Sequence, residues 1–102
     1  MAKFDENVEV ITKEETKAKV PKKYKVILLN DDYTSMEFVV YILETIFHKT
    51  PTEAHNLMMS VHTTGSGVAG VFSFEVAEMK VAMVTEAARQ NEYPLRCVLE
   101  EE

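Results

Sequence analysis

The chain has no tryptophan and a single cysteine, so no internal disulfide can staple it and the sequence does not read as a small oxidised scaffold. Cys97 sits in an apolar, strand-like stretch and is expected to be a small buried hydrophobe rather than a nucleophile. Basic residues are in the minority, 11 Lys and Arg against 17 Asp and Glu, for a net charge of -6. They are also scattered. Without a basic stripe to displace counterions, nucleic acid is disfavoured as a partner, and an anionic membrane surface equally so. No apolar run approaches the roughly 18 residues of a spanning helix, and the start lacks the charged-then-apolar pattern of a secretory signal. A cytoplasmic protein is expected. Aspartate is scarce too: Asp5, Asp31 and Asp32 are the only three.

What is present is enough for one domain. Of the 102 residues 46% are hydrophobic, which supports a modest core. Residues 1–23 carry charges of both signs, few large apolar side chains and no clean period, and are expected to form a flexible tail ahead of a domain spanning 24–102. Tyr24 to Leu29 is a β-branched and aliphatic run that Asn30-Asp31-Asp32 terminates, hence a strand. Thr34 with Glu37 has the spacing of a capping box, predicting a helix over Ser35 to His48. Thr50-Pro51-Thr52-Glu53 repeats the device and starts a second helix that ends near His62. Gly65 and Gly67 break the chain. Val68 to Phe74 predicts a strand in which Gly70 allows a close backbone approach. Ser73 can cap a third helix over Glu75 to Gln90, with Val76, Val81, Val84, Ala87 and Ala88 as its stripe. Pro94 stops it, and Leu95 to Leu99 predicts a third strand. The order β-α-α-β-α-β implies an α+β fold, helices packed on one three-stranded antiparallel sheet.

The first helix is more apolar than one sheet face requires. Met36, Val39, Val40, Leu43 and Phe47 form one stripe, and Phe38, Ile42 and Ile46 a second beside it. Either the helix packs on two sides, or part of a stripe lines a pocket. The abrupt change from Val26-Ile27-Leu28-Leu29 to Asn30-Asp31-Asp32 admits several readings. A phosphoacceptor receiver domain also carries acids at a strand end, but it needs a further Asp at a later strand end and alternating strands and helices, and both are missing. The spacing of His48, His55 and His62 does not make a metal site, because Pro51 separates the first two and the last two would stand about 10 Å apart along one helix. His62 differs from the others: at the end of the second helix it faces Asn30 and Asp31 if the two helices pack antiparallel. A carboxylate, an amide and an imidazole at the end of an apolar groove suit acid/base catalysis, or the holding of a cation such as an α-ammonium group, or a hydrogen-bonded turn that only caps a helix. With no nucleophile, metal or phosphate loop nearby, binding is the simplest of the three.

Leu28-Leu29-Asn30-Asp31-Asp32-Tyr33-Thr34-Ser35-Met36-Glu37-Phe38-Val39-Val40, then Leu57-Met58, Val61-His62, Gly70-Val71-Phe72, Glu75-Val76-Ala77-Glu78, Lys80-Val81, Pro94-Leu95 and Cys97, resemble the ClpS adaptor family. The likeness runs from about Val20 to the end. It departs at Ser35, where the family usually carries Pro, so a preset φ is lost but no binding group with it. The resemblance implies a bacterial N-end rule adaptor, not an enzyme, with no cofactor or metal and as a monomer. Such an adaptor captures substrates by an N-terminal Leu, Phe, Tyr or Trp and delivers them to the N-domain of the ClpA unfoldase for degradation by ClpP. By position, Asn30, Asp31 and His62 would hold the substrate α-amino group, and Asp32 and Thr34 would flank the peptide backbone. Met36, Val39, Met58, Val61 and Leu95 would line the pocket for the first side chain. Glu75 and Lys80 would face ClpA, and the tail would act in handover. The alternative is a protein-interaction module of similar topology, ribosome-associated or other, that ignores free N-termini.

Overall fold

In a computed structural model, which describes residues 20–102, the chain forms strand β1 (Lys23–Leu29), helices α1 (Met36–Thr45) and α2 (Pro51–Thr64), strand β2 (Ser66–Ser73), helix α3 (Phe74–Gln90) and strand β3 (Arg96–Glu101). This is the expected order, in one antiparallel sheet arranged β2-β1-β3. Of the expected tail, residues 1–19 lie outside the described residues, and Lys23 already belongs to β1.

β1 is the middle strand and its alternation shows why. Val26 and Leu28 are fully buried beneath the helices, while Lys25, Ile27 and Leu29 point to the open face. Leu28 pairs with Gly67 on one side and Cys97 on the other; Ile27 pairs with Val68 and Val98. The register slips between Val26 and Ile27, which leaves Ala69 of β2 as an extra, buried residue. Burial pushes the Cys97 thiol up to about 11, so it stays protonated and inert, as its place in an apolar strand implies.

α2 packs on β2, α3 on β1 and β3, and α1 on α2. Gly67 makes the α2 contact close: a Cβ there would stand 2.8 Å from Val61 Cγ2. Gly70 does not serve the close backbone approach its sequence context suggests. The Phe72 ring covers it instead, 2.5 Å from where a Cβ would be.

The helix ends depart from sequence expectation at three places. Ser35, not Thr34, is the N-cap of α1, its Oγ accepting the Phe38 N–H at 3.1 Å. Thr34 is unavailable because its hydroxyl donates to Asp31. α1 also ends three residues early, at Thr45, because Thr50 must be extended ahead of Pro51 and the intervening His48 takes a left-handed φ of 55°. Lys80 of α3 then donates from Nζ to the orphaned Ile46 carbonyl at 2.7 Å. The Thr50–Glu53 capping box forms as expected, with bonds of 3.2 and 3.0 Å. Ser73 sits at the N-cap of α3 but its side chain makes no capping bond, and Val76, expected on the buried stripe, is exposed.

α3 closes in a Schellman motif: Tyr93 N–H donates to the Ala88 carbonyl at 2.8 Å and Glu92 N–H to the Arg89 carbonyl at 3.1 Å. Glu92 occupies the left-handed position, φ 60°, that glycine fills at least cost. Glu92→Gly is therefore expected to stabilise the fold by about 0.5–1 kcal/mol, raising Tm by a few degrees in thermal unfolding followed by circular dichroism.

Candidate functional site

β1 delivers Asn30 and Asp31 to one end of the sheet, and the backbone there is tied to the end of α2. The Asn30 N–H donates to the Gly65 carbonyl at 2.9 Å, extending the ladder one step beyond the Leu29–Ser66 pair. Asp31 organises the turn that follows. Its Oδ1 accepts the backbone N–H groups of Tyr33 at 2.8 Å and Thr34 at 2.7 Å, and its Oδ2 accepts the Thr34 hydroxyl at 2.7 Å. Partial burial by itself raises the Asp31 pKa, but the hydrogen bonds from Thr34 and Tyr33 together outweigh it and hold the group below its ordinary value. The carboxylate therefore persists through the neutral range. The stability it adds is present above the unfolded carboxylate pKa and is lost as pH falls through the depressed folded value. A carboxylate has about four lone-pair sites, so three bonds within the turn leave room for one external donor.

The turn and the first helix pair enclose a cavity of about 210 Å³ lined by Asn30, Asp31, Asp32, Thr34, Met36, Val39, Met58, Val61 and His62. Its character changes with depth. The mouth is polar, with Asn30, Asp32 and His62 solvent-exposed and Asp31 and Thr34 half-buried. The depth is apolar, with Met58 5% and Val61 2% exposed beside buried Val39. Met36, in the first turn of α1 and 44% exposed, stands at the boundary. The double apolar stripe of α1 is thus explained in two parts: Phe38, Ile42, Leu43, Ile46 and Phe47 are core, while Met36 and Val39 face the cavity.

Nine of the ten residues expected at an amine-and-side-chain site meet around this cavity. Leu95 does not; it follows Pro94 into the core, 4% exposed, and is absent from the walls. Glu75 is exposed in the first turn of α3, whereas Lys80 is half-buried, its ammonium on Ile46 and 5.6 Å from the Phe72 ring centroid. His48 and His55 are exposed and lie outside the cavity. Among the described residues no group of His, Cys, Asp and Glu is placed to hold a metal ion. A second, shallower apolar groove of about 550 Å³ runs between α1 and α3 past Tyr41, Met79 and Met83. The backbone carbonyl of Gly65, which no side-chain pattern could have advertised, is the member of the site architecture that sequence reasoning missed.

Chemically, the cavity offers acceptors and negative charge at its mouth and a water-poor apolar end. Residues 19–98 match the family described as ATP-dependent Clp protease adaptor protein ClpS. The chain belongs to the ClpS family. A ClpS of Rhodospirillum centenum is 53% identical over 93 residues, covering 91% of this chain and 86% of the relative. A ClpS of Bdellovibrio bacteriovorus is 58% identical over 86 residues, covering 84% and 75%. Among solved structures, ClpS2 of Agrobacterium tumefaciens bound to L-phenylalaninamide matches with a TM-score of 0.78 at 39% identity, over 80% of this chain and 99% of the other. The Ser35 that stands where ClpS sequences usually have Pro is accounted for by its capping bond, which starts α1 without help from a fixed φ.

Proposed function

We propose that this ClpS adaptor captures proteins by a free N-terminal residue with a large apolar side chain, Leu, Phe, Tyr or Trp, and hands them to the ClpA unfoldase for degradation by ClpP. The observation that carries the reading is the polarity gradient of the 210 Å³ cavity, polar at the mouth and apolar in the depth, a volume below that of most drug-sized sites. The phenylalaninamide bound to the Agrobacterium relative carries both features the gradient selects, an amine and an oily side chain. Asn30, Asp31 and His62 accept the three donors of the α-ammonium group, with the spare Asp31 lone pair as the charged partner. Asp32 and Thr34 flank the peptide backbone, and Met36, Val39, Met58 and Val61 take the side chain. Leu95 supports that pocket from the core.

The magnitudes agree with reversible capture. Burying a Leu or Phe side chain contributes roughly 1.5–3 kcal/mol, and each charge-assisted hydrogen bond a similar amount. Two or three such bonds reach roughly the 8 kcal/mol of micromolar binding before ordering costs reduce it. The adaptor itself performs no chemistry in this reading. Glu75 and Lys80 serve the ClpA N-domain from α3, away from the cavity, and residues 1–19 act in handover.

The test is a titration of two peptides that differ only in an N-terminal Leu or Ala, followed by fluorescence anisotropy. Leu is expected to bind at least tenfold more tightly, and equal affinities would refute capture by the first side chain. Removing residues 1–19 is expected to leave the Leu titration unchanged while stopping ClpAP degradation of a Leu-tagged reporter.

A further inference from the structure

Asn30 and Asp31 reach the site on a strand and His62 on a helix, so something must fix the distance between them. The structure places one residue at that junction. Gly65 is the C-cap of α2, its N–H donating to the Val61 carbonyl at 2.9 Å, and its own carbonyl accepts the Asn30 N–H at 2.9 Å. Ser66 then opens β2 opposite Leu29, so the reversal from helix to strand takes this residue alone. Gly65 has φ 97° and ψ -17°, a conformation that L side chains rarely adopt. There is no crowding. A Cβ at this position would meet nothing within 4 Å, in contrast to Gly67 two residues on. The requirement for glycine at this junction is therefore conformational, and a side chain acts on the site only by moving the backbone.

We propose that Gly65 is a positioning residue of the binding site: its left-handed backbone joins the end of α2 to the end of β1 and so sets the separation between His62 and the Asn30–Asp31 acceptors. This rests on the reading that those three side chains hold a ligand's ammonium group. An alanine at position 65 relieves its strain by turning φ toward negative values, which swings the carbonyl off Asn30 and lets the two segments drift apart. Hydrogen bonding to an ammonium depends on tenths of an ångström in such separations, whereas burial of an apolar side chain on Val39 and Met58 does not. The loss should fall on amine recognition and spare the oily pocket.

The experiment compares a Phe-peptide with its N-acetylated form on the parent, Gly65→Ala and Gly65→Asn, each built in the Glu92→Gly background to offset part of the lost stability and each checked for folding by circular dichroism. Glu92 lies beyond α3, outside the cavity walls. The ratio of the two affinities is the readout, because a variant that is merely less stable lowers the active fraction for both peptides alike. Gly65→Ala is expected to cut the ratio at least fivefold with the acetylated peptide little changed, and Gly65→Asn, which tolerates the left-handed region, to restore most of it. A folded Gly65→Ala with the parent's ratio would overturn the proposal, as would an Asn variant as impaired as the Ala one. A parent that binds both peptides equally would instead remove the amine reading, and the positioning role with it.

Discussion

N-terminal acetylation of a Phe-peptide is expected to weaken its binding to the parent protein at least tenfold. Acetylation removes the positive charge and two of three donors, so the mouth of the cavity is left with acceptors facing an amide. A charge-assisted hydrogen bond contributes about 1.5–3 kcal/mol, and every 1.4 kcal/mol is a factor of ten. Asp31→Asn should weaken the free-amine peptide by a similar factor and the acetylated one hardly at all. It is a better probe than Asp31→Ala, because an Asn Oδ1 can still accept the Tyr33 and Thr34 N–H groups that shape the turn. Isothermal titration of both peptides against parent and variant measures the effect; an Asp31→Asn variant that still prefers the free amine as strongly as the parent would take Asp31 out of the contact.

The second large effect concerns which side chains are admitted. Met36 stands half-exposed at the lip of the cavity with Val39 one turn below it, where it would crowd a ligand branched at Cβ. Met36→Ala is expected to raise affinity for N-terminal Ile and Val at least tenfold while costing Leu no more than about threefold, since one or two methyl groups in an apolar pocket shift binding by about 1–3 kcal/mol. The residue is exposed, so the substitution leaves no core cavity and the fold is not at risk. If the variant rejects Ile as strongly as the parent, the filter lies elsewhere on the wall.

The elements with strong local signals are legible in the amino-acid sequence alone. The Thr50–Glu53 capping box, with Pro51 behind it, places the start of α2 to the residue, and the switch from aliphatic run to Asn30-Asp31-Asp32 places the end of β1. At the start of α1 the difficulty is that one polar group has two possible partners. Thr34 and Ser35 both precede the helix, and local spacing cannot tell which hydroxyl caps it; the cap falls to Ser35 because Asp31 has claimed Thr34. A similar limit governs the site. Nine residues singled out by the resemblance are brought by the fold around one cavity, but the place of Leu95 depends on how β3 enters the core, a long-range matter that no local pattern encodes. Gly65 is visible as a break. Its carbonyl's bond to Asn30 is not, because backbone acceptors leave no mark in side-chain sequence.

Every wall of the cavity falls between Asn30 and His62, on the β1–α1 turn and the two helices that follow it, and none comes from α3 or β3. The proposed recognition surface is thus encoded in one uninterrupted stretch of the chain. Closing it still requires a contact across 35 residues, the Asn30 N–H on the Gly65 carbonyl. The single stretch also frees the C-terminal half to change. On the proposed reading, in which α3 faces ClpA and the cavity reads the cargo, substitutions on the outer face of α3 change docking without passing through the cavity walls, so affinity for substrate and affinity for the protease machine can drift and be selected separately.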